Sequence, residues 1–94
     1  MSKNVNVVEI LKERGNTHGK FIDHATICQD LKTVIHHSDV EKWESLESDK
    51  KEALDMIVHK IARILNGDSS HIDHWVDIAG YATLVANRLT SENS

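Results

Sequence analysis

The sequence predicts an all-α fold, a small bundle of four main helices plus a short connector helix. Three observations predict it: no proline occurs in 94 residues, apolar residues return every three or four positions, and no segment keeps strand alternation beyond a few residues. Residues 1–89 read as one helical domain and 90–94 as a disordered tail. The first predicted helix starts near Asn4, a residue able to cap the next turn, carries Val5, Val8 and Leu11 with Val7 and Ile10 beside them, and stops at Gly15. Gly15 to Gly19 is then a turn, and its two glycines suggest backbone angles that other residues avoid, or a close approach to the backbone.

The second predicted helix runs from about Phe21 to His36, with Phe21, Ala25, Cys28, Leu31 and Ile35 on one face and Ile22 and Ile27 widening it. Cys28 reads as a small buried hydrophobe, since no neighbour in sequence supplies an activating base. His36 and His37 close this helix, where imidazoles interact favourably with the last carbonyls. Between 38 and 48, Val40, Trp43 and Leu46 stand three apart, which fits a short connector helix anchored by Trp43. The third helix opens on a capping pair, Asp49 and Glu52, and stops at Asn66-Gly67; its core stripe is Leu54, Ile57, Ile61 and Ile64, flanked by Ala53, Val58 and Leu65. The fourth takes Ser70 and Asp73 as its cap and presents Trp75, Ile78, Ala79, Ala82, Val85, Ala86 and Leu89 to the core.

Composition narrows the function classes. Eleven Lys and Arg against fifteen Asp and Glu give a net charge of −4, with a pI near 5.9, which argues against a phosphate-tracking DNA or RNA binder. A single cysteine cannot form an internal disulfide, and neither a signal peptide nor a membrane span is legible, so a cytoplasmic location is expected. A chain this short buries only roughly 60 to 68% of its unfolded surface, which leaves stability marginal and makes self-association an expectation. Seven histidines are many for such a length, and histidine is both a metal ligand and a proton carrier near neutral pH.

At about 100° per residue, Glu52, Asp55, His59, Arg63 and Asn66 share one face of the third helix, opposite its apolar stripe. On the fourth, Asp73, Asp77, Gly80, Tyr81, Leu84 and Arg88 gather away from Trp75 and Ala82. Leu84 near the centre of that second face, and Gly80, which costs a helix interior about 1 kcal/mol relative to alanine, suggest that something lies against it. Glu52 with Asp55 and Asp73 with Asp77 are spaced so that each pair can aim at one spot, the oxygen-rich setting that magnesium favours. With His59 as the base for water and Lys60 and Arg63 facing phosphates, such a site could hydrolyse a nucleotide pyrophosphate. Solvated surface pairing is the plainer account of the same residues. A zinc site from His71, Asp73 and His74 is not expected, because these positions diverge at a helix start.

The strings Glu13-Arg14-Gly15-Asn16-Thr17-His18-Gly19, Glu52 to Gly67 and Asp73 to Ala82 resemble a small phage and prophage protein family of uncharacterised function. That family's turn reads closer to Arg-Gly-x-x-Tyr-Gly-Asp, so His18 stands at the tyrosine and Lys20 at the aspartate. More distantly, the acidic helix followed by Asp73-x-x-x-Asp77-Ile-Ala-Gly-Tyr-Ala is similar to phage nucleotide-modification-associated domains and to MazG-like all-helical nucleotide pyrophosphatases, without their Glu-Glu-x-x-Glu run. The resemblance implies an oligomeric helical bundle with magnesium held by acidic residues on adjacent helices. The leading expectation is a phage-type homo-oligomer that binds a nucleotide or nucleotide-derived signal, by sequestration or hydrolysis. Glu52, Asp55, Asp73 and Asp77 would hold the metal, His59 would handle the water, Arg14, His18, Lys20, Lys60 and Arg63 would face phosphates, and Tyr81 or Trp75 would border the base. The alternative is a protein-interaction module that inhibits a host enzyme or defence complex by docking its acidic faces on a basic partner.

Overall fold

The computed structural model describes Val7 and residues 19–93. Among these residues the fold is all-helical: α1 (Phe21–His37), α2 (Val40–Ser45), α3 (Ser48–Asn66) and α4 (Ile72–Asn93). The first predicted helix and most of the glycine-flanked turn, including Arg14 and His18, lie outside the described residues.

The central element is α3, which packs against α1 on one side and α4 on another, while the short α2 leans on α1. The core sits between α1 and α3, where Cys28, Val58 and Ala62 are buried and Ile27, Leu31 and Ile35 close around them. The buried residues of α3 lie on two sides: Val58 and Ala62 turn to Cys28 of α1, and Ala53 lines the groove against α4. Of the predicted stripe, Leu54 and Ile61 are exposed and Ile57 and Ile64 half-buried, while the flanking Ala53 and Val58 are buried and the flanking Leu65 is exposed. The hydrophobic pattern of α3 is broad enough to admit either choice of buried residues.

Two other predicted faces hold in part: Cys28, Leu31 and Ile35 of α1 and Ile78, Val85 and Leu89 of α4 are buried or half-buried as expected. On α1, Phe21 and Ile22 are exposed, and His24 takes the inward place beside Cys28. On α4, Trp75 is exposed and His74 is buried in its stead, with Ile78, Tyr81, Val85 and Leu89 half-buried behind it. Trp75 instead makes a local bond, its Nε1 donating to the Ser69 carbonyl oxygen at 2.8 Å, which ties the start of α4 to the turn before it.

Connections follow turn chemistry. Asp39 caps α2 by accepting from the Lys42 amide at 3.0 Å, and Trp43 stacks on His36 with ring centroids 4.2 Å apart, the anchoring expected of it. α3 ends at Asn66 with Gly67 as its C-cap, as expected. Gly19 has a φ of +75°, and a Cβ there would lie 1.9 Å from the Asn66 carbonyl oxygen, so both angle and space demand glycine. Asn66 in turn donates from Nδ2 to the Lys20 carbonyl oxygen at 2.8 Å, which fastens the entry of α1 to the end of α3.

Both predicted helix caps are replaced. Asp49 lies inside the first turn of α3 and accepts from the Lys50 amide, so the capping pair with Glu52 does not form. Its carboxylate is instead gripped by Arg88 of α4, which also reaches Glu47 and Glu92. α4 begins at Ile72, two residues beyond Ser70, whose amide is taken by Asp68 at 2.9 Å. At the other end α4 continues to Asn93, past the expected helix end at Leu89. The Arg88–Glu92 pair one turn apart and the Thr90 hydroxyl bonded to the Ala86 carbonyl support that extension.

Candidate functional site

The four carboxylates expected to hold magnesium are not brought together. Asp55 faces α1 and meets His36 Nε2 at 2.6 Å, whereas Asp77 faces α3 and meets Lys60 Nζ at 2.8 Å. Glu52 is exposed, and Asp73 is exposed at the start of α4, 3.6 Å from His71. Each paired carboxylate is thus committed to a different neighbour on a different side of α3. The Asp77 carboxyl is held below its ordinary range by the hydrogen bond from Lys60, a side chain only 12% exposed. This half-buried pair fixes α3 to α4, and breaking one partner would strand the other charge.

The expected phosphate-facing cations part company too. Lys60 is occupied by Asp77, and Lys20 is exposed at the entry of α1. Arg63 is half-buried and forms no ion pair among the described residues. Its charge acts on His24 and His59, one turn before the Asn66 that grips Lys20. Lys20, the N-cap residue of α1, makes no side-chain cap hydrogen bond. Tyr81 is half-buried on α4 and borders a shallow surface groove with Val76, Asp77, Gly80 and Leu84.

A different set of residues does converge. His24 and Cys28 stand one turn apart on the inward face of α1, and His59 comes to them from α3. His24 Nε2 lies 3.3 Å from His59 Nδ1, with the rings edge to face at 4.5 Å. Burial, reinforced by Arg63, pushes the His59 imidazole down to about 4; the same two causes lower His24, in the same order. Both rings are therefore unprotonated at neutral pH. So low a pKa makes His59 a weak base toward water, which weighs against the catalytic part assigned to it.

Sequence reasoning missed His24 and Cys28 as a pair. The signal was present in the four-residue spacing His24-x-x-x-Cys28, but Cys28 was read only as a member of the apolar stripe with Leu31 and Ile35, which His24, a polar residue, did not join. His71, Asp73 and His74 lie close together at the start of α4, with His71 Nε2 3.6 Å from the Asp73 carboxylate and its ring 4.7 Å from that of His74.

The outward side of α4 has the opposite character. Ile72, Val76 and Leu84 are 70%, 57% and 68% exposed, at four-residue steps that place them in one row with Gly80. A Cβ added at Gly80 would meet nothing within 4 Å, so no close packing inside the chain requires glycine there. A second apolar groove runs between α3 and α4, lined by Leu46, Ala53, Ile57, Ala82, Val85 and Leu89.

The sequence signature of one protein family, Domain of unknown function (DUF6378), matches residues 5–89. The chain belongs to that family. The match spans all four helices up to Leu89 and carries no assigned activity. No curated protein and no solved structure matches the chain. None of the helices described is long and apolar enough to cross a membrane.

Proposed function

We propose that the chain is a protein-interaction module whose working surface is the outward row of α4, and that the first partner seated there is a second copy of the chain. The observation that carries this reading is the Ile72, Val76, Gly80, Leu84 row, exposed along its length while the chain's buried apolar residues are only Cys28, Ala53, Val58 and Ala62 among those described. An exposed apolar row of this size on a small domain is the usual mark of a protein contact. Rows at four-residue spacing are also the ridges that interlock when two helices cross at about −50°.

Gly80 favours a second copy over an unrelated partner. It lies between Val76 and Leu84 at equal spacing, so a two-fold axis at Gly80 sets the Val76 side of one copy against the Leu84 side of the other. Glycine at the crossing lets the helix backbones approach, and that close approach offsets its helix-propensity cost of about 1 kcal/mol. Sedimentation of the purified chain tests the reading. A concentration-dependent dimer that Leu84→Glu dissociates supports it; an unchanged assembly in that variant contradicts it.

A second reading has one observation in its favour. Arg63, which pairs with no carboxylate among the described residues and stands one turn before the Asn66 that bonds the Lys20 carbonyl at the entry of α1, suits a phosphate-bearing ligand such as a nucleotide. Binding without hydrolysis is then the better expectation, because the four carboxylates offer no shared metal position within the chain. Calorimetric titration with a nucleotide panel, with and without magnesium, distinguishes the two: heat that Arg63→Ala removes supports ligand binding, and absence of heat across the panel contradicts it.

A further inference from the structure

We propose that His24, Cys28 and His59 form a binding site for a zinc-type transition-metal ion that bridges α1 and α3. One ligand atom from each residue lies within 4.8 Å of the other two. Tetrahedral zinc with bonds of about 2.0 to 2.3 Å spaces its ligands roughly 3.3 to 3.7 Å apart. The His24 to His59 nitrogen distance of 3.3 Å already meets that spacing, and closing the remainder requires shifts of about 1 Å, within the reach of side-chain rotation.

Burial supplies the independent observation. His24 is 5% exposed and Cys28 4%, so two of the three donors sit inside the α1–α3 interface, with His24 Nε2 turned toward His59. An imidazole buried in a small core costs stability unless something engages it, and a packed apolar residue would serve a merely structural role better. Two imidazoles and a thiol are the donor set of zinc and related ions, whereas magnesium takes oxygen ligands.

Arg63 and Lys32 act on the same cluster and oppose a bare dication there. Binding therefore depends on Cys28 entering as the thiolate: one proton leaves the thiol for solvent, and the sulfur lone pair forms the bond to the ion, lowering the net charge of the site by one. No fourth His, Cys, Asp or Glu joins the group among the described residues, so the fourth position falls to water or an anion.

Cobalt is the probe, because its visible spectrum reports coordination number and its near-ultraviolet charge transfer reports thiolate. The full chain, stripped with chelator, is titrated with cobalt and then with zinc. One equivalent bound, four-coordinate visible bands, a thiolate-to-cobalt band that zinc bleaches, and its loss in Cys28→Ser are the expected results. His59→Ala should weaken binding at least about tenfold, as removal of one of three protein ligands does. Circular dichroism establishes that each variant remains helical, and zinc should raise the Tm of the wild type but not of a folded Cys28→Ser. A folded wild type that gives no charge-transfer band at excess cobalt overturns the proposal, as does a band that survives in Cys28→Ser.

Discussion

The α1–α3 interface and the outward row of α4 have exchanged the side chains that a simple rule would give them. At the interface an imidazole, His24, is 5% exposed beside Cys28 and His59; on α4 Leu84 and Ile72 are mostly exposed. Each arrangement costs a lone monomer, the first by desolvating polar groups and the second by leaving apolar surface in water. Each is relieved by a ligand of matching chemistry, an ion at the interface and a protein surface on α4. Inverted burial in a small domain thus points to binding more directly than the acidic rows did, since Asp55 and Asp77 of those rows are engaged within the chain by His36 and Lys60.

If α4 is the docking face, Leu84→Glu should have the greatest consequence. Burying a leucine contributes about 1.5–3 kcal/mol, and a two-fold interface counts it twice, so the dimer Kd should rise by roughly 10² to 10⁴, measured by sedimentation equilibrium. At the α1–α3 interface, Gly19→Ala should destabilise the fold by about 2 kcal/mol or more, because its φ of +75° disfavours a side chain and the Cβ would strike the Asn66 backbone. Chemical denaturation would register it as a lower midpoint with an unchanged slope. Val58→Ala, 2% exposed in the same interface, should cost about 2 kcal/mol without altering association. A loss of dimer in Val58→Ala while the fold persists would erase the distinction between the two regions.

A smaller effect is expected from acid. Arg88 hydrogen bonds hold the Glu47 and Asp49 carboxyls below their ordinary values of 4.5 and 3.8. A depressed folded pKa means that the stability they contribute is fully present above about 4.5 and is lost as pH falls through the lower folded values. The Tm should therefore drop on acidification below about pH 4.5, and by less in Arg88→Ala. Because these groups are solvent-accessible, salt should reduce the difference. The mildest test is Gly80→Ala: open space around its Cβ predicts a gain of up to about 1 kcal/mol in helix stability, read as a higher Tm, together with weaker self-association.

The helical class and several boundaries were readable because they rest on local signals. Phe21 opens α1 at the expected residue, Gly67 closes α3, and Val40, Trp43 and Leu46 mark the connector. Helix orientation was less accessible. α3 carries apolar residues over most of its circumference, so periodicity admitted the Leu54, Ile57, Ile61, Ile64 stripe as readily as the Val58 and Ala62 side that packs on α1. Choosing between them depends on how near α1 comes, which is a property of two helices and not of one. The same limit hid the metal-ligating set, since His59 joins His24 and Cys28 only across a separation of more than thirty residues.

The proposed exchange of roles stands or falls most directly on the mass of the purified chain in solution. Light scattering across the micromolar range should give about twice 10.6 kDa, falling to a single chain in Leu84→Glu with helicity retained. A wild type that stays at 10.6 kDa throughout, helical and stable, would contradict the reading of α4 as a docking face.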